Sequence, residues 1–159
     1  MTHVKYVLFV CAGNICRSPM AEALFRDLIK KHPALTGVVV GSAGTIAISG
    51  NLPCTDAVEV MRAGYGLEIV THRARPLSRR LPADLVLTMD RQTERDAVAM
   101  RFRAPVAMLG DYVGTGEEVP DPYGHSPRRY REVAAQLRRL IALVVERLEA
   151  GSAETPGAR

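Results

Sequence analysis

Cys11 and Arg17 frame the segment Val10-Cys11-Ala12-Gly13-Asn14-Ile15-Cys16-Arg17-Ser18-Pro19 in a Cys-x5-Arg spacing. One turn of chain around a tetrahedral oxyanion would set a thiol beneath the central atom and a guanidinium beside its oxygens. Arg suits that place because its planar fork grips two oxygens at once, where Lys offers only a point charge. A cysteine attacks as the thiolate. Hydrogen bonds to a charged group contribute about 1.5–3 kcal/mol each, and a helix N-terminus up to ~2 kcal/mol in a favourable, partly buried geometry. Converging backbone amides and the Ser18 hydroxyl would therefore stabilise both the attacking and the departing sulfur. Gly13 and Asn14 are residue types that accept left-handed backbone angles. Ala12, Gly13, Asn14, Ile15, Cys16 and Ser18 are thus candidate binding residues around the catalytic candidates. A Cys closing a core strand is often only a packing residue, and the spacing alone is a weak signal in an Arg-rich chain. The internal Gly-Asn, the following Ser-Pro and the strand-to-helix setting favour the chemical reading.

If the oxyanion is a phosphate ester, its leaving oxygen needs a proton. Val119-Pro120-Asp121-Pro122-Tyr123-Gly124 supplies a carboxyl group between two prolines that stiffen its backbone. As an acid Asp121 would protonate the leaving group; as a carboxylate it would then activate water against a phosphocysteine. An Asp beside Pro and Gly also suits a simple turn, and it is the Cys11 turn that favours the catalytic role.

These residues are brought together by an alternating pattern of elements. Residues 4–10 form a near-continuous apolar run, as in a buried parallel strand. Further strands are predicted at 38–40, 84–88 and 105–109. Helices are predicted at 19–31, at 55–63 with Thr55 as cap, at 93–102, and at 127–148, where Ser126 caps and Pro127 suits the first position. The last helix carries one apolar stripe, Val133, Leu137, Leu140, Ile141, Val144, Val145 and Leu148. Alternation of this kind implies an α/β fold with a parallel sheet covered on both faces. Ligands in such sheets bind beyond the carboxyl ends of the strands, which makes Cys11, Ser42, Asp90 and the loop after Leu109 neighbours. The loop over residues 110–125 is long for a compact domain, as functional loops often are.

The chain has 159 residues, 47% of them apolar, which fits one domain over 1–150. The small, polar segment 151–159 is expected to be a disordered tail. The net charge of +4 suits anionic partners, including phosphate esters and acidic proteins. The absence of Trp and the aromatic content of 5% leave few stacking platforms for nucleic acid. Three cysteines, Cys11, Cys16 and Cys54, do not make a disulfide framework. Cys54 is most simply an ordinary thiol. The N-terminal apolar run is short, contains Lys5 and has no cleavage site, so neither a signal peptide nor a membrane span is expected, and the cytoplasm is the default compartment. Cys11 and Cys16 are poorly spaced for zinc and lack a His-rich partner segment, so no metal is expected.

At these residues the chain resembles the low-molecular-weight protein tyrosine phosphatases. The resemblance rests on residues 10–22, on Asp121-Pro122-Tyr123-Gly124, and on Ser42-Ala43-Gly44-Thr45, Thr71-His72-Arg73-Ala74-Arg75 and Met89-Asp90. It implies a doubly wound four-stranded parallel sheet with helices on both faces, a flavodoxin-like arrangement. It implies Cys11 as nucleophile, Arg17 as clamp and Asp121 as acid then base, without cofactor. Asn14, Ser18, Ser42 and His72 match loop-organising positions, and Tyr123 alone stands beside Asp121-Pro122, where some members have two aromatics for the substrate ring. The partners implied are a phosphorylated protein substrate and product phosphate, for a monomer or weak dimer. In many members the second loop cysteine pairs reversibly with the nucleophile, a role that falls to Cys16 here; a packing thiol is the other reading.

The segment 46–51 lacks the aromatic some members place at the substrate slot, and the part after Leu81 is closer to the protein-arginine phosphatases of the family. Those carry Thr where this chain has Ile15, whose apolar side chain suits an aromatic ring and offers no hydroxyl to a guanidinium; tyrosine is therefore expected over arginine. Arsenate reductases share the loop but need further cysteines, and residues 83–99 have none. A phosphate-binding module without catalysis is the alternative of another class, disfavoured by the joint presence of Cys11, Arg17 and Asp121.

Overall fold

The computed structural model describes residues 3–154, with side chains described to Gly151. Four strands, β1 (Tyr6–Cys11), β2 (Val39–Gly44), β3 (Leu85–Thr88) and β4 (Val106–Met108), form one sheet in the order β2-β1-β3-β4. Every pairing is parallel. The helices are α1 (Arg17–Ile29), α2 (Thr55–Tyr65), α3 (Arg91–Ala99), a single turn α4 (Leu109–Tyr112) and α5 (Pro127–Glu154), with a 3-10 turn at Pro33–Leu35.

Strand alternation decides what each face buries. Val7, Phe9, Cys11, Leu85 and Leu87 point into the larger core with Phe25 and Met20 of α1, Met61 of α2 and Leu137, Ile141 and Val144 of α5. Phe9 and Phe25 meet there edge to face, with centroids 5.7 Å apart. Leu8, Val10, Ala43 and Val86 point the other way, onto Ala97 of α3 and Leu77. The chain leaves β1 towards β2 on one side and later fills β3 on the other, so the strand order reverses beside β1. That reversal opens a crevice at the carboxyl edge, where Cys11 ends β1.

Most expected elements are present, with shifted ends. Helix α1 starts at Arg17 rather than residue 19, because Pro19 lies among the first four positions, whose N–H groups have no partner within the helix. Strand β2 continues through Ser42 and Ala43 to Gly44, held in register opposite Phe9, Val10 and Cys11. The cap position of α2 is Cys54, not Thr55, and no side chain caps it. Its other end stops at Gly66, at φ 65°, a left-handed position that glycine accepts. Helix α3 starts at Arg91 behind Asp90, which forms a capping box with Thr93. Helix α5 runs past Leu148 to Glu154, into the segment expected as tail; residues 155–159 lie outside the described residues. The long loop is folded back by bonds from Thr115 N and Gly116 N to the Gly110 carbonyl.

Candidate active site

Cys11 ends β1 with its side chain buried, and Arg17 opens α1, so the intervening turn wraps the helix N-terminus. Asn14 N donates to Cys11 Sγ at 3.3 Å. Ser18 Oγ lies 3.0 Å from the same sulfur. Asn14 Nδ2 donates to that Ser18 oxygen at 2.7 Å, which leaves the Ser18 proton free to point at sulfur. Asn14 Nδ2 also reaches Ser42 Oγ at 3.0 Å, and Ser42 donates to Glu22 Oε1 at 2.6 Å. Donation thus runs from Asn14 in two directions, outward through Ser42 to Glu22 and inward through Ser18 to Cys11.

Asn14 is fully buried at φ 56°, a strained angle for any side chain but easiest for Asn. Its Oδ1 accepts from Arg75 N at 2.9 Å, and its carbonyl accepts from His72 Nε2 at 2.7 Å. Gly13, expected to share that left-handed geometry, does not adopt a positive φ. The second close fit is at Gly44: a Cβ there would stand 2.5 Å from the Ala12 carbonyl oxygen and 2.9 Å from Asn14 N. Only glycine lets β2 pass so near the turn.

Arg17 is 2% exposed. Its Nη1 donates to Asp90 Oδ2 at 2.7 Å and to the Val119 carbonyl at 2.9 Å. Its Nη2 stands 3.8 Å from Asp121 Oδ2. Arg17 Nε has no protein partner, the sole buried side-chain N or O of that kind among the described residues. The Nη1 side of the guanidinium is therefore committed to protein, while the Nε–Nη2 edge is left for two oxygens of a ligand. Burial works against the Asp90 carboxylate, but bonds from Thr93 and Arg17 outweigh it and hold its pKa below the usual value.

Asp121 is half-exposed on the loop that Val119 pins to the end of β3, through a 2.8 Å bond from Val119 N to the Met89 carbonyl. Its Oδ1 accepts from Tyr123 N at 3.1 Å, an Asx turn held between Pro120 and Pro122. Cys11, Ala12, Gly13, Ile15, Cys16, Arg17, Ile46, Asp121 and Tyr123 line one cavity of about 180 Å³. Asn14 and Ser18 are buried behind it. Larger hollows lie elsewhere, one of 510 Å³ between α2 and the start of α5 and one of 680 Å³ near Tyr112 and Arg147. Neither contains a cysteine beside an arginine, so the small cavity is the chemically equipped one.

The cysteines depart from expectation. Cys16 is disulfide-bonded to Cys54, with Cα atoms 5.6 Å apart, and Cys11 is the free thiol. Cys54 is thus not an ordinary thiol, and Cys16 is held by α2's leading residue rather than by the nucleophile candidate. Tyr130 of α5, buried, sets its hydroxyl 3.6 Å from Cys16 Sγ. Burial first, then the charges of Asp56 and Asp121 and the nearby Tyr123, push the Tyr130 pKa up. Gly44, Glu22, Arg75 and Ile46 stand in segments the sequence reading quoted but were given no role there, and Tyr130 was not noted; the contacts that give them one depend on long-range packing. Among the described residues no group of three or more His, Cys, Asp or Glu side chains could hold a metal ion, and no helix is long and apolar enough to cross a membrane.

A parallel α/β sheet with a thiol, a half-committed guanidinium and a carboxyl group around one small cavity defines the class of cysteine-based phosphate-ester sites. Comparison with known proteins narrows the class. Residues 6–153 match the family described as low molecular weight phosphotyrosine protein phosphatase. The probable low molecular weight protein-tyrosine-phosphatase EpsP of Ralstonia nicotianae is 39% identical over 153 residues, covering 92% of this chain and 98% of that protein. The protein-arginine-phosphatase of Bacillus subtilis is 34% identical, covering 90% and 96%. The crystal structure of the low molecular weight protein tyrosine phosphatase from T. tengcongensis superposes with a TM-score of 0.83 at 36% identity, covering 89% and 98%. This chain belongs to the low-molecular-weight phosphotyrosine protein phosphatase family.

Proposed function

We propose that this protein hydrolyses phosphotyrosine in protein substrates through a phosphocysteine intermediate, with Cys11, Arg17 and Asp121 as the catalytic residues. The observation that carries the reading is the orphaned Nε of Arg17, buried beside a free thiol. A buried N–H without a partner costs about 1–3 kcal/mol, and a bidentate phosphate would supply the partner. In the first step the Cys11 thiolate forms an S–P bond as the P–O bond to tyrosine breaks, and the Asp121 carboxyl proton passes to the leaving phenolate. In the second, the Asp121 carboxylate takes a proton from water, the water oxygen bonds to phosphorus, and the S–P bond breaks to release orthophosphate and the thiolate. The turn amides of residues 12–16 bind the oxyanion, while Asn14 and Ser18 stabilise the sulfur from behind. No cofactor enters either step. A reducing cytoplasm suits an enzyme that needs Cys11 free, and there the Cys16–Cys54 pair is two thiols until an oxidant joins them.

The arginine phosphatase relative makes phosphoarginine the second reading. Ile15, part-buried in the cavity wall, favours tyrosine: it packs against an aromatic ring and gives no hydrogen bond to a guanidinium. The test is a kinetic comparison on phosphotyrosine, phosphoserine and phosphoarginine peptides of one sequence, for the wild type and Ile15→Thr. Preference for phosphotyrosine that shifts towards phosphoarginine in the variant supports the assignment. A wild-type preference for phosphoarginine would transfer it to the second reading, and no turnover of any of the three would favour a binding module.

A further inference from the structure

The strap of chain that carries Asp121 is fastened to α5 on both sides of that residue. Beyond Asp121 the chain turns straight into the helix: His125 N donates to the Pro122 carbonyl and Arg129 N to the Ser126 carbonyl, each at 2.9 Å. Before Asp121 it is tied to the same helix about three turns further along. There Arg139 grips Glu117 with two bonds, Nη1 to Oε2 at 2.9 Å and Nη2 to Oε1 at 2.7 Å. Gln136 Nε2 adds bonds to Glu117 Oε1 at 3.2 Å and to the Glu118 carbonyl at 2.9 Å. The Glu118 carboxylate accepts from Arg91 N at 2.8 Å, at the first residue of α3. Beneath the clamp the strap presses on Gly110, where a Cβ would collide with the Glu117 carbonyl.

We infer that Glu117 and Arg139 are positioning residues for the general acid: their clamp fixes the strap on α5 and so sets the distance and direction from Asp121 to the leaving oxygen. The inference rests on the phosphatase reading and deepens it. An exposed ion pair adds little to stability, but a bidentate Arg–carboxylate pair adds direction. Asp121 needs direction from outside. Its carboxyl is half-exposed, accepts from Tyr123 N on the same strap, and stands 3.8 Å from Arg17. Val119, between clamp and acid, is held from the sheet side by the Met89 carbonyl and by Arg17. With Val119 fixed to the sheet and Glu117 to α5, the strap has one course past the cavity. The bonds from Arg139 hold the Glu117 pKa at about 2, so the clamp stays charged wherever Asp121 can act as an acid.

The test compares phenyl phosphate, whose leaving group needs a proton, with para-nitrophenyl phosphate, whose leaving group needs it far less. Misplacing a reacting group by about 1 Å costs up to ~10²-fold. Glu117→Gln and Arg139→Gln should each lower kcat on phenyl phosphate about tenfold with KM little changed, and lower kcat on para-nitrophenyl phosphate much less. The double variant should lose no more than either single one, because both remove the same clamp. In an Asp121→Asn background, Arg139→Gln should cost nothing further. Unchanged kinetics in the single variants, equal losses on the two esters, or a further loss in the Asp121→Asn background would each overturn the inference. Failure of the wild type to turn over either ester would instead defeat the phosphatase reading on which it stands.

Discussion

Arg17 and Asp90 join the ends of two strand-to-helix turns: one opens α1, the other caps α3, and a 2.7 Å ion pair links them across the crevice. Asp90 is itself fixed by Thr93, whose N and Oγ1 donate to Asp90 Oδ1 at 2.9 and 2.8 Å. The guanidinium is thus aimed by a carboxylate that has no freedom of its own. Removing Asp90 would leave the buried guanidinium with the Val119 carbonyl as its one hydrogen-bond acceptor in the protein and Asp121 at 3.8 Å.

Asp90→Asn keeps the shape and removes the charge. The guanidinium should lose its fixed orientation, and kcat/KM on para-nitrophenyl phosphate should fall about tenfold or more, given ~1.4 kcal/mol per tenfold. Stability gives a second readout. Asp90 is held below its ordinary pKa in the folded state, so its contribution is fully present above the unfolded value and disappears as pH falls through the folded one. Denaturation midpoints should converge for wild type and variant in strong acid and separate above about pH 4. A constant gap at all pH values would assign the loss to packing rather than to the ion pair.

Asp121→Asn is expected to slow aryl phosphates with poor leaving groups by about 10²–10⁴-fold, the range of general acid catalysis, and activated esters far less. Its half-exposed position makes a folding defect an unsuitable explanation, which circular dichroism can check. Equal losses on both ester types would remove Asp121 from the acid role.

Gly44→Ala places a methyl group against the Ala12 carbonyl and Asn14 N, both backbone atoms that cannot swing aside. We expect about 1–3 kcal/mol of destabilisation, the cost of overpacking, together with weaker phosphate protection in thermal unfolding. Gly64→Ala, where a Cβ meets nothing within 4 Å, is the control. Equal midpoints for the two variants would show that β2 has room to move.

The pairing of Cys16 with Cys54 gives a chemical forecast. The protein purified without reductant or added peroxide should carry linked Cys16 and Cys54 peptides and leave Cys11 open to alkylation after denaturation. Non-reducing peptide mapping reads this directly. A Cys11–Cys16 link as the main product would restore the pairing that family resemblance implied.

Much of this was visible in the chain before folding was considered. The Cys-x5-Arg turn, the Asp between two prolines and the strand–helix alternation are local patterns, and local patterns survive into structure. The capping box of α3 was equally local: Asp90 and Thr93 stand three apart, yet a helix placed from its apolar residues alone begins two positions late. The Cys16–Cys54 contact spans 38 residues and depends on how α2 lies against the phosphate turn, which no spacing encodes. Gly44 is illegible for the same reason, since its need for a bare Cα arises from a neighbouring strand's turn. The end of α5 was missed because Gly151 is a poor helix former and Ser152 a middling one, while the helix continues to Glu154.

Glu22 sits on the flank of α1, one-fifth exposed, at the far end of the hydrogen-bonded chain that runs through Ser42, Asn14 and Ser18 to the sulfur. Arg26 already leans on it from the solvent side. The reactive centre therefore has a handle on the outside of the molecule. Glu22, through Ser42, draws on the same Asn14 amide group that orients the Ser18 hydroxyl towards the sulfur, so the glutamate shares a donor with the cavity without facing it.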